Sequence, residues 1–297
     1  MYWFKNLMAY RLTSQIDFSK LETALENSRF TPCESTDYSK FGWTAPLHGN
    51  ESLKFEINGH ILIVACKEEK VLPAYAVNRQ LAARVAALEE KEGRKLKKTE
   101  KLSIKDSVMA EMLPRAFSKF THTAIWIDTA KGLIFVDSSS AKKSEDVLAL
   151  LRKSLGSLPV VPLSYNSNPS EVMTSWLVNG TPQWLMLLEE GKLKRFDVDS
   201  LAIFKRQDLE GEEVTTCLEH GAMAVSLAVE RENHLSFILH EDGTLSRLKF
   251  ADEVREKNDD ILKEDVAQRF DADFLLMTQE LSQLIELIAA EFGNIKK

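Results

Sequence analysis

Strand-like runs separated by only a few turn residues constrain this fold more than any other feature of the sequence. Residues 123–129 and 133–138 are apolar and rich in β-branched side chains, and the Lys-Gly pair at 131–132 between them is a hairpin turn signal. Residues 234–240 and 244–250 repeat this arrangement around a second turn that contains glycine. Because so short a connection joins only antiparallel neighbours, the sequence predicts antiparallel sheets. Further strands are predicted at 6–12, 60–67, 158–164, 222–230 and within 183–205, with 158–164 at a sheet edge because it contains two prolines.

Helices are predicted between these strands, which makes the fold class α+β. Residues 17–28 have helical spacing, with Ser19 as the predicted N-cap and Glu22 completing a capping box. Residues 143–156 form an amphipathic helix that ends at Gly156. Residues 252–291 combine an acidic composition with a helical row of apolar side chains. That row consists of Phe274, Leu275, Met277, Leu281, Leu284, Ile285 and Ile288.

Residues 73–113 are predicted to form a helical hairpin that projects from the body of the protein. Apolar residues recur there at steps of three and four, which indicates an amphipathic helix. This first helix is predicted to continue into a basic run. A second helix is predicted to begin at Ser103 and to end before Pro114.

The size and composition of the chain bound its class. Its 297 residues correspond to about two domains or to one elongated, multi-lobed subunit, with a linker predicted at 165–170. No apolar run is long enough to span a membrane, and the first residues do not resemble a signal peptide. The three cysteines are odd in number and widely spaced, which favours a reducing cytoplasm over a disulfide framework.

Motifs for enzyme chemistry are absent from the sequence. Neither a G-x-x-x-x-G-K-[ST] loop nor a G-x-G-x-x-G motif occurs, and the six histidines form no H-E-x-x-H pair. Asp271 and Asp273 resemble a paired-carboxylate metal site, but acids near the start of a helix are the simpler interpretation. We therefore expect no catalytic residues, no metal and no cofactor.

A basic run at 93–105 stands out because the formal net charge of the chain is −7. On one continuous helix, four of its cations would share one narrow face: Arg94, Lys98, Lys101 and Lys105. Like charges at this spacing repel each other, and a polyanion opposite them would explain the arrangement. The alternative is a solvated helix face, in which Glu90 pairs with Arg94 and Glu100 interrupts the run.

Aromatic side chains follow the basic run closely. The segment 114–120 interleaves Arg115 and Lys119 with Phe117 and Phe120. Phe117 is predicted to pack into the core at the start of a strand, whereas Phe120 lies off that face and suits an interface. Weaker groups of cations follow at 142–143 and 205–206.

Nearly the whole chain resembles the RdgC family of recombination-associated proteins from proteobacteria. The stretches that carry the resemblance are WFKN (3–6), FTPC (30–33), RKLKKTEK (94–101), MLPRAFSKF (112–120), SAKKSEDVLALLRKSLGSLPVVPLS (140–164), KRQDL (205–209) and AQRFDADFLLMT (267–278). The resemblance implies a non-enzymatic protein that binds DNA, chiefly double-stranded, without sequence preference, and single-stranded DNA is a further candidate ligand. It also implies a homodimer closed into a ring around DNA, and a nucleoid-associated antagonist of the recombinase RecA.

The resemblance also implies central, tip and base lobes. We assign 1–72 and 114–165 to the central lobe, 73–113 to the tip, 166–251 to the base, and 252–297 to a C-terminal helix on the body. Phe120 is expected at one dimer contact, and 205–207 either near DNA or at the other contact. The residues expected to bind DNA are Arg94, Lys95, Lys97, Lys98, Lys101, Lys105, Arg115, Lys119, Lys205, Arg206 and Gln207. The alternative is a protein-interaction regulator that acts on the recombinase directly through its acidic C-terminal region.

Overall fold

Two antiparallel sheets form the framework of the computed structural model, which describes residues 3–47, 49–262 and 265–296. The first sheet consists of β1 (Met8–Leu12), β2 (Ser39–Thr44), β3 (Lys54–Ile57), β4 (His60–Val71), β5 (Phe117–Asp128), β6 (Leu133–Val136) and β7 (Val160–Pro162). Its strand order is β2-β4-β5-β6-β1-β7, and β3 pairs with β4 beside β2. The second sheet consists of β8 (Met186–Arg195), β9 (Ser200–Lys205), β10 (Met223–Arg231), β11 (Leu235–His240) and β12 (Leu245–Phe250), in the order β12-β11-β10-β8-β9.

Eight α-helices accompany the two sheets in the described part of the chain, which confirms the predicted α+β class. They are α1 (Leu21–Glu26), α2 (Ala74–Glu92), α3 (Lys98–Met112), α4 (Ala141–Leu155), α5 (Pro169–Asn179), α6 (Glu212–Glu219), α7 (Asp252–Arg255) and α8 (Val266–Glu291). The predicted hairpins at 123–138 and 234–250 are present. The proline-containing strand is β7, at the predicted sheet edge.

The predicted cap of the first helix is wrong. The Ser19 amide and hydroxyl both donate to Asp17, at 2.9 Å each, and no side chain caps α1. The Glu22 carboxylate instead accepts hydrogen bonds from the amides of Leu53 (2.8 Å) and Lys54 (3.0 Å). The backbone amides at the start of β3 need hydrogen-bond acceptors, and Glu22 serves them in place of the capping box that the local sequence pattern predicts.

The helix boundaries within 73–113 also differ from the prediction. The first helix ends at Glu92 because Gly93 adopts φ 65°, a left-handed C-cap that glycine accommodates without strain. The second helix begins at Lys98, so Ser103 lies inside it and is not its N-cap. Arg94 consequently lies in a loop, and the four-cation helix face expected from the sequence does not form.

Two hydrophobic clusters lie on opposite faces of the seven-stranded sheet. On one face, side chains such as Ile63 and Ile125 pack against α1 and α4. On the other face, Trp126 and Phe135 belong to a larger cluster that also includes side chains of the five-stranded sheet, α5 and α8. One continuous core therefore connects the two sheets.

Helix α8 supplies much of the larger cluster. The predicted apolar row is buried except for Leu275, which is half-buried. Glu280 on the same helix is 4% exposed, and its carboxylate lies 2.6 Å from His234, 3.5 Å from Lys257 and 3.7 Å from Arg231. Three side chains from outside α8 thus surround this buried carboxylate and hold α8 against the end of β10 and the turn that leads into β11.

The segment 165–170 packs against the C-terminal residues. The Asn166 amide donates to the Asn294 carbonyl and the Ser167 amide to the Phe292 carbonyl, at 3.0 Å each. Asn168 caps α5 through the Ser170 amide at 3.0 Å. These bonds explain why a stretch with the composition of a linker is ordered here.

We predict that Gly42→Ala lowers the free energy of unfolding by roughly 1–3 kcal/mol, the usual cost of overpacking. A Cβ at this position would lie 2.6 Å from the Phe30 Cα and 2.7 Å from the Ser28 carbonyl oxygen, which are backbone atoms that cannot rotate away. Urea denaturation checks this, with Ser39→Ala on the same strand as the control. Equal midpoints for the two variants would contradict the close approach.

Candidate nucleic-acid interface

The loop 93–97 is fixed by a carboxylate of the helix that precedes it. Glu89 on α2 accepts hydrogen bonds from the Leu96 amide at 3.0 Å and from Lys95 Nζ at 2.9 Å, and Lys101 Nζ lies 3.1 Å away. The hydrogen bond from Lys95 is the main reason that the pKa of Glu89 falls to about 2, followed by the bonds from Leu96 and Lys101. Leu96 itself is buried, which holds the loop against the helices.

A second carboxylate fixes the start of α3. Glu100 accepts two hydrogen bonds from Arg94, at 2.7 and 3.0 Å, and one from the Lys97 amide at 2.6 Å. The Arg94 bonds are the main reason that the pKa of Glu100 falls to about 2. Glu92 lies 2.7 Å from Arg94 as well, so the predicted Arg94–Glu90 pair is wrong. The loop between α2 and α3 places Arg94 beside Glu92 and Glu100 instead of Glu90.

These acids divide the basic run into two sets. Arg94, Lys95 and Lys101 form ion pairs with carboxylates of the same chain at the protein surface. Within the described residues, no carboxylate lies within 4.0 Å of Lys97, Lys98 or Lys105. Lys98, Lys101 and Lys105 still share one face of α3, because steps of three and four residues keep them within about 60° of each other.

Contacts along their length hold α2 against α3. Arg84 and Glu111 form a bidentate ion pair, with one bond of 2.9 Å, and Val77 and Val108 are buried. The two helices therefore present the basic run from a packed pair, not from a free peptide.

A second group of cations surrounds Glu69 on β4. Lys67 Nζ lies 2.8 Å from this carboxylate, and Lys119 is its cross-strand neighbour on β5. Lys67 lowers the pKa of Glu69 most, and Lys119 and Lys143 lower it further. Three cations thus share one acid. Lys119 was predicted as a DNA contact, whereas Lys67 was missed because only the register of β4 and β5 brings it there.

Exposed apolar side chains border these cations. Phe117 is 86% exposed, so its predicted core position is wrong: β5 extends past the core helices and its first residues face solvent. Phe117 pairs with Val71 beside a cleft of about 630 Å³ that Arg115 also lines. Phe120 is 52% exposed and packs edge-to-face on Phe30, with 6.3 Å between ring centroids. The predicted Arg115 and Phe120 therefore both lie at an exposed surface.

The predicted segment 205–207 lies elsewhere in the fold, at the end of β9 in the five-stranded sheet. Lys205 is exposed, Arg206 adopts φ 54°, and the Gln207 amide donates to the Glu189 carbonyl at 3.3 Å. The predicted site residues thus fall into three groups, one near α3, one on and before β5, and one after β9.

The described residues contain neither a cluster suited to a metal ion nor a helix suited to crossing a membrane. No group of three or more His, Cys, Asp and Glu side chains suited to holding a metal ion occurs among them. None of the described helices combines the length and the apolar character that crossing a bilayer requires.

Comparison with known proteins gives one consistent result. A family model described as "Putative exonuclease, RdgC" matches residues 2–295. The chain is 58% identical to the recombination-associated protein RdgC of Actinobacillus pleuropneumoniae serotype 3 over 300 residues, which cover 100% of this chain and 99% of the relative. The proteins of the same name from Mannheimia succiniciproducens (56% over 299 residues; 100% and 99% covered) and Haemophilus influenzae strain Rd (55% over 298; 99% and 99%) are similar to it at comparable levels.

We predict that the loop 93–97 loosens as the pH falls from about 4.5 toward 2. The folded-state pKa of Glu89 lies below its ordinary value of 4.5, so its contribution is complete above that value and is lost as the carboxylate protonates. Hydrogen exchange at the Leu96 amide, corrected for the intrinsic rate, measures this. Glu89→Gln is expected to expose the amide already at pH 6. Protection of Leu96 that stays constant in the wild type would contradict the assignment.

Proposed function

Because the chain belongs to the RdgC family of recombination-associated proteins, we propose that it binds DNA, chiefly double-stranded, without sequence preference and thereby restrains recombination by RecA. The observation that carries this proposal is the set of Lys97, Lys98 and Lys105 at the start and on one side of α3, which have no acidic partner among the described residues. Ammonium groups of this kind bind phosphate as point charges and read no base sequence.

Charge separation supports a ring-shaped homodimer. Residues 93–105 contain six cations and one acid, whereas 252–291 contain twelve acids and four cations. A ring lined by the first set and surrounded by the second attracts DNA into its hole and repels it elsewhere. The projecting tip 73–113, the central lobe (1–72 and 114–165), the base 166–251 and the C-terminal 252–297 are the parts we propose for each subunit.

A closed two-fold ring of two elongated subunits needs two self-complementary contacts. Phe120, which is 52% exposed, is our candidate for one of them. In the cell we propose a cytoplasmic, nucleoid-associated protein.

The alternative, direct action on the recombinase, cannot use the apolar row of α8, which is buried in the core. It retains the exposed acids of this region, which lie around α7 and, as with Glu286, on the outer side of α8.

We predict that replacing Lys97, Lys98 and Lys105 by Gln weakens binding to every DNA sequence alike. Each lost phosphate contact reduces the magnitude of the slope of log affinity against log salt by about 0.9, so loss of all three reduces it by about 2.7 for each subunit that contacts the DNA. Fluorescence anisotropy with two unrelated duplexes over a salt series measures both effects.

The matched control replaces Lys20, Lys153 and Lys249, three exposed lysines on other elements, and so carries the same net charge. It is expected to keep the wild-type slope. Equal slopes for both variants would remove α3 from the interface. Gels of end-labelled duplex with Mg²⁺ serve as a second control, because released nucleotides would support an exonuclease instead of a binding protein.

We predict that the protein, once bound, resists high salt on closed circular DNA and is lost from the same DNA after linearisation. A ring can slide off a free end but stays topologically linked to a circle. Co-sedimentation after a salt step measures retention. Equal loss from both forms would contradict encirclement but not DNA binding. Capture of RecA without DNA, combined with no DNA retention at low salt, would favour the alternative.

A further inference from the structure

We propose that a cleft beside α8 binds an organic cation, namely the charged end of an aliphatic chain such as an alkylguanidinium or alkylammonium group. The cleft lies between α8 and two hairpin ends, at 58–60 and 128–131, and its volume is about 530 Å³. It is at the opposite end of the paired strands β4 and β5 from Val71 and Phe117. The site goes beyond the proposed DNA binding and does not depend on it.

Asp128, the last residue of β5, supplies the charge of this cleft. Its side chain is buried, with only 2% of the residue exposed. The Lys131 amide donates to Asp128 Oδ1 at 3.0 Å, and no group among the described residues donates to Oδ2. Since every fully buried side-chain oxygen in the described part of the chain has a hydrogen-bond partner, Oδ2 is open to the cleft.

The neighbouring side chains do not neutralise Asp128. Within the described residues, no side-chain nitrogen of Lys, Arg or His lies within 4.0 Å of its carboxylate, and Lys131 Nζ lies 2.6 Å from Glu286 instead. His60, the cross-strand neighbour of Asp128, accepts the indole N–H of Trp126 on Nδ1 at 3.2 Å. This ring nitrogen therefore carries no proton, and the imidazole is neutral. The charged groups that line the cleft leave one negative charge, and a bound cation offsets the cost of burying it.

Helix α8 provides a wall for the aliphatic part of the ligand. Leu275 is the half-buried member of the apolar row, and it lines this cleft. Gln279 and Ser282 follow at steps of four and three residues on the same side of the helix and line the cleft as well. An alkyl chain can therefore pack on Leu275 while its charged group reaches the carboxylate. The side-chain oxygens of Gln279 and Ser282 are further acceptors for that group.

Other classes of small ligand fit this cleft less well. An anion would face the Asp128 carboxylate and be repelled by it. No group of three or more His, Cys, Asp and Glu side chains in the described part of the chain is suited to a metal ion. The volume falls within the range of small-molecule sites, about 300–1,000 Å³, so there is room for a charged group together with its chain.

Two sources supply cations of this kind: free amines and guanidines, and the basic side chains of a peptide. Isothermal titration calorimetry with n-butylguanidinium and with acetyl-Gly-Arg-Gly-amide, which carry one guanidinium group each, distinguishes them. Binding of either probe supports the site, and the tighter of the two identifies the source. The neutral n-butylurea has a similar shape and is expected to bind at least about tenfold more weakly, because it lacks the charge that pairs with Asp128.

A local signal shows whether the probes bind in this cleft. The indole of Trp126 donates to His60, which lines the cleft, whereas the indole of Trp43 donates to Ser154 on the other face of the sheet. Titration with n-butylguanidinium is expected to shift the Trp126 indole signal in a ¹H–¹⁵N spectrum and to leave the Trp43 signal in place. The loss of one signal in Trp126→Phe identifies it.

Variants test the role of the carboxylate. Asp128→Asn retains an acceptor for the Lys131 amide but removes the charge, so it is expected to weaken binding of n-butylguanidinium at least about tenfold. Glu219→Gln, at an exposed position on α6, removes the same charge away from the cleft and is expected to bind as the wild type does. Ser282→Arg places a tethered guanidinium at the cleft and is expected to block binding. It replaces Asp128→Asn if circular dichroism and thermal melting show that the latter does not fold.

The inference is overturned if n-butylurea binds as tightly as n-butylguanidinium, or if the Asp128→Asn or Ser282→Arg variant binds as tightly as Glu219→Gln. Absence of both heat and a Trp126 shift with either guanidinium probe at millimolar concentration overturns it as well. In each of these cases the salt-dependent DNA binding expected from Lys97, Lys98 and Lys105 is unaffected, because none of these lysines lines the cleft.

Discussion

The structure depends on one apolar face of α8, which packs in the core that both sheets share. Phe274, Met277 and Leu281 are fully buried there. Phe55 from the seven-stranded sheet packs edge-to-face on Phe274, with 5.4 Å between the ring centroids. Burial of apolar area is the main favourable term of folding, so a helix that serves both sheets couples their stabilities. The ion pairs of Glu280 hold α8 in place against the five-stranded sheet.

Local geometry decides which cations remain available to a ligand. Two carboxylates, Glu89 and Glu100, pair with half of the basic run and at the same time supply hydrogen bonds to loop amides. A protein with a negative net charge can therefore still present lysines without acidic partners. Glu89 and Glu100 order the loop before α3, and the ordered loop and helix position Lys98 and Lys105. The segment therefore contains cations paired with carboxylates, as a solvated face would have, and lysines without a carboxylate partner among the described residues, which are the ones proposed to contact phosphate.

The edge strands differ in how far other segments of the chain cover them. Chain segments at 5–7 and 28–30 cover β12 and β2 through backbone hydrogen bonds, whereas β9 exposes an uncharged, apolar edge. Unpaired backbone groups on a long edge strand favour pairing with another strand.

The sequence by itself determined the elements: the hairpins around 131–132 and 241–243, the amphipathic α4 and the apolar row of α8 follow from local turn chemistry and periodicity. The sequence also identified the family, because long matching stretches are recognised from the residues alone. Only the tertiary structure decided the partners. Glu22 accepts hydrogen bonds from amides at the start of β3 and does not cap its own helix. Glu100 binds Arg94 across a loop. Phe117 faces solvent because the start of β5 extends beyond the core. Such contacts depend on distances between segments far apart in sequence, which no local pattern contains.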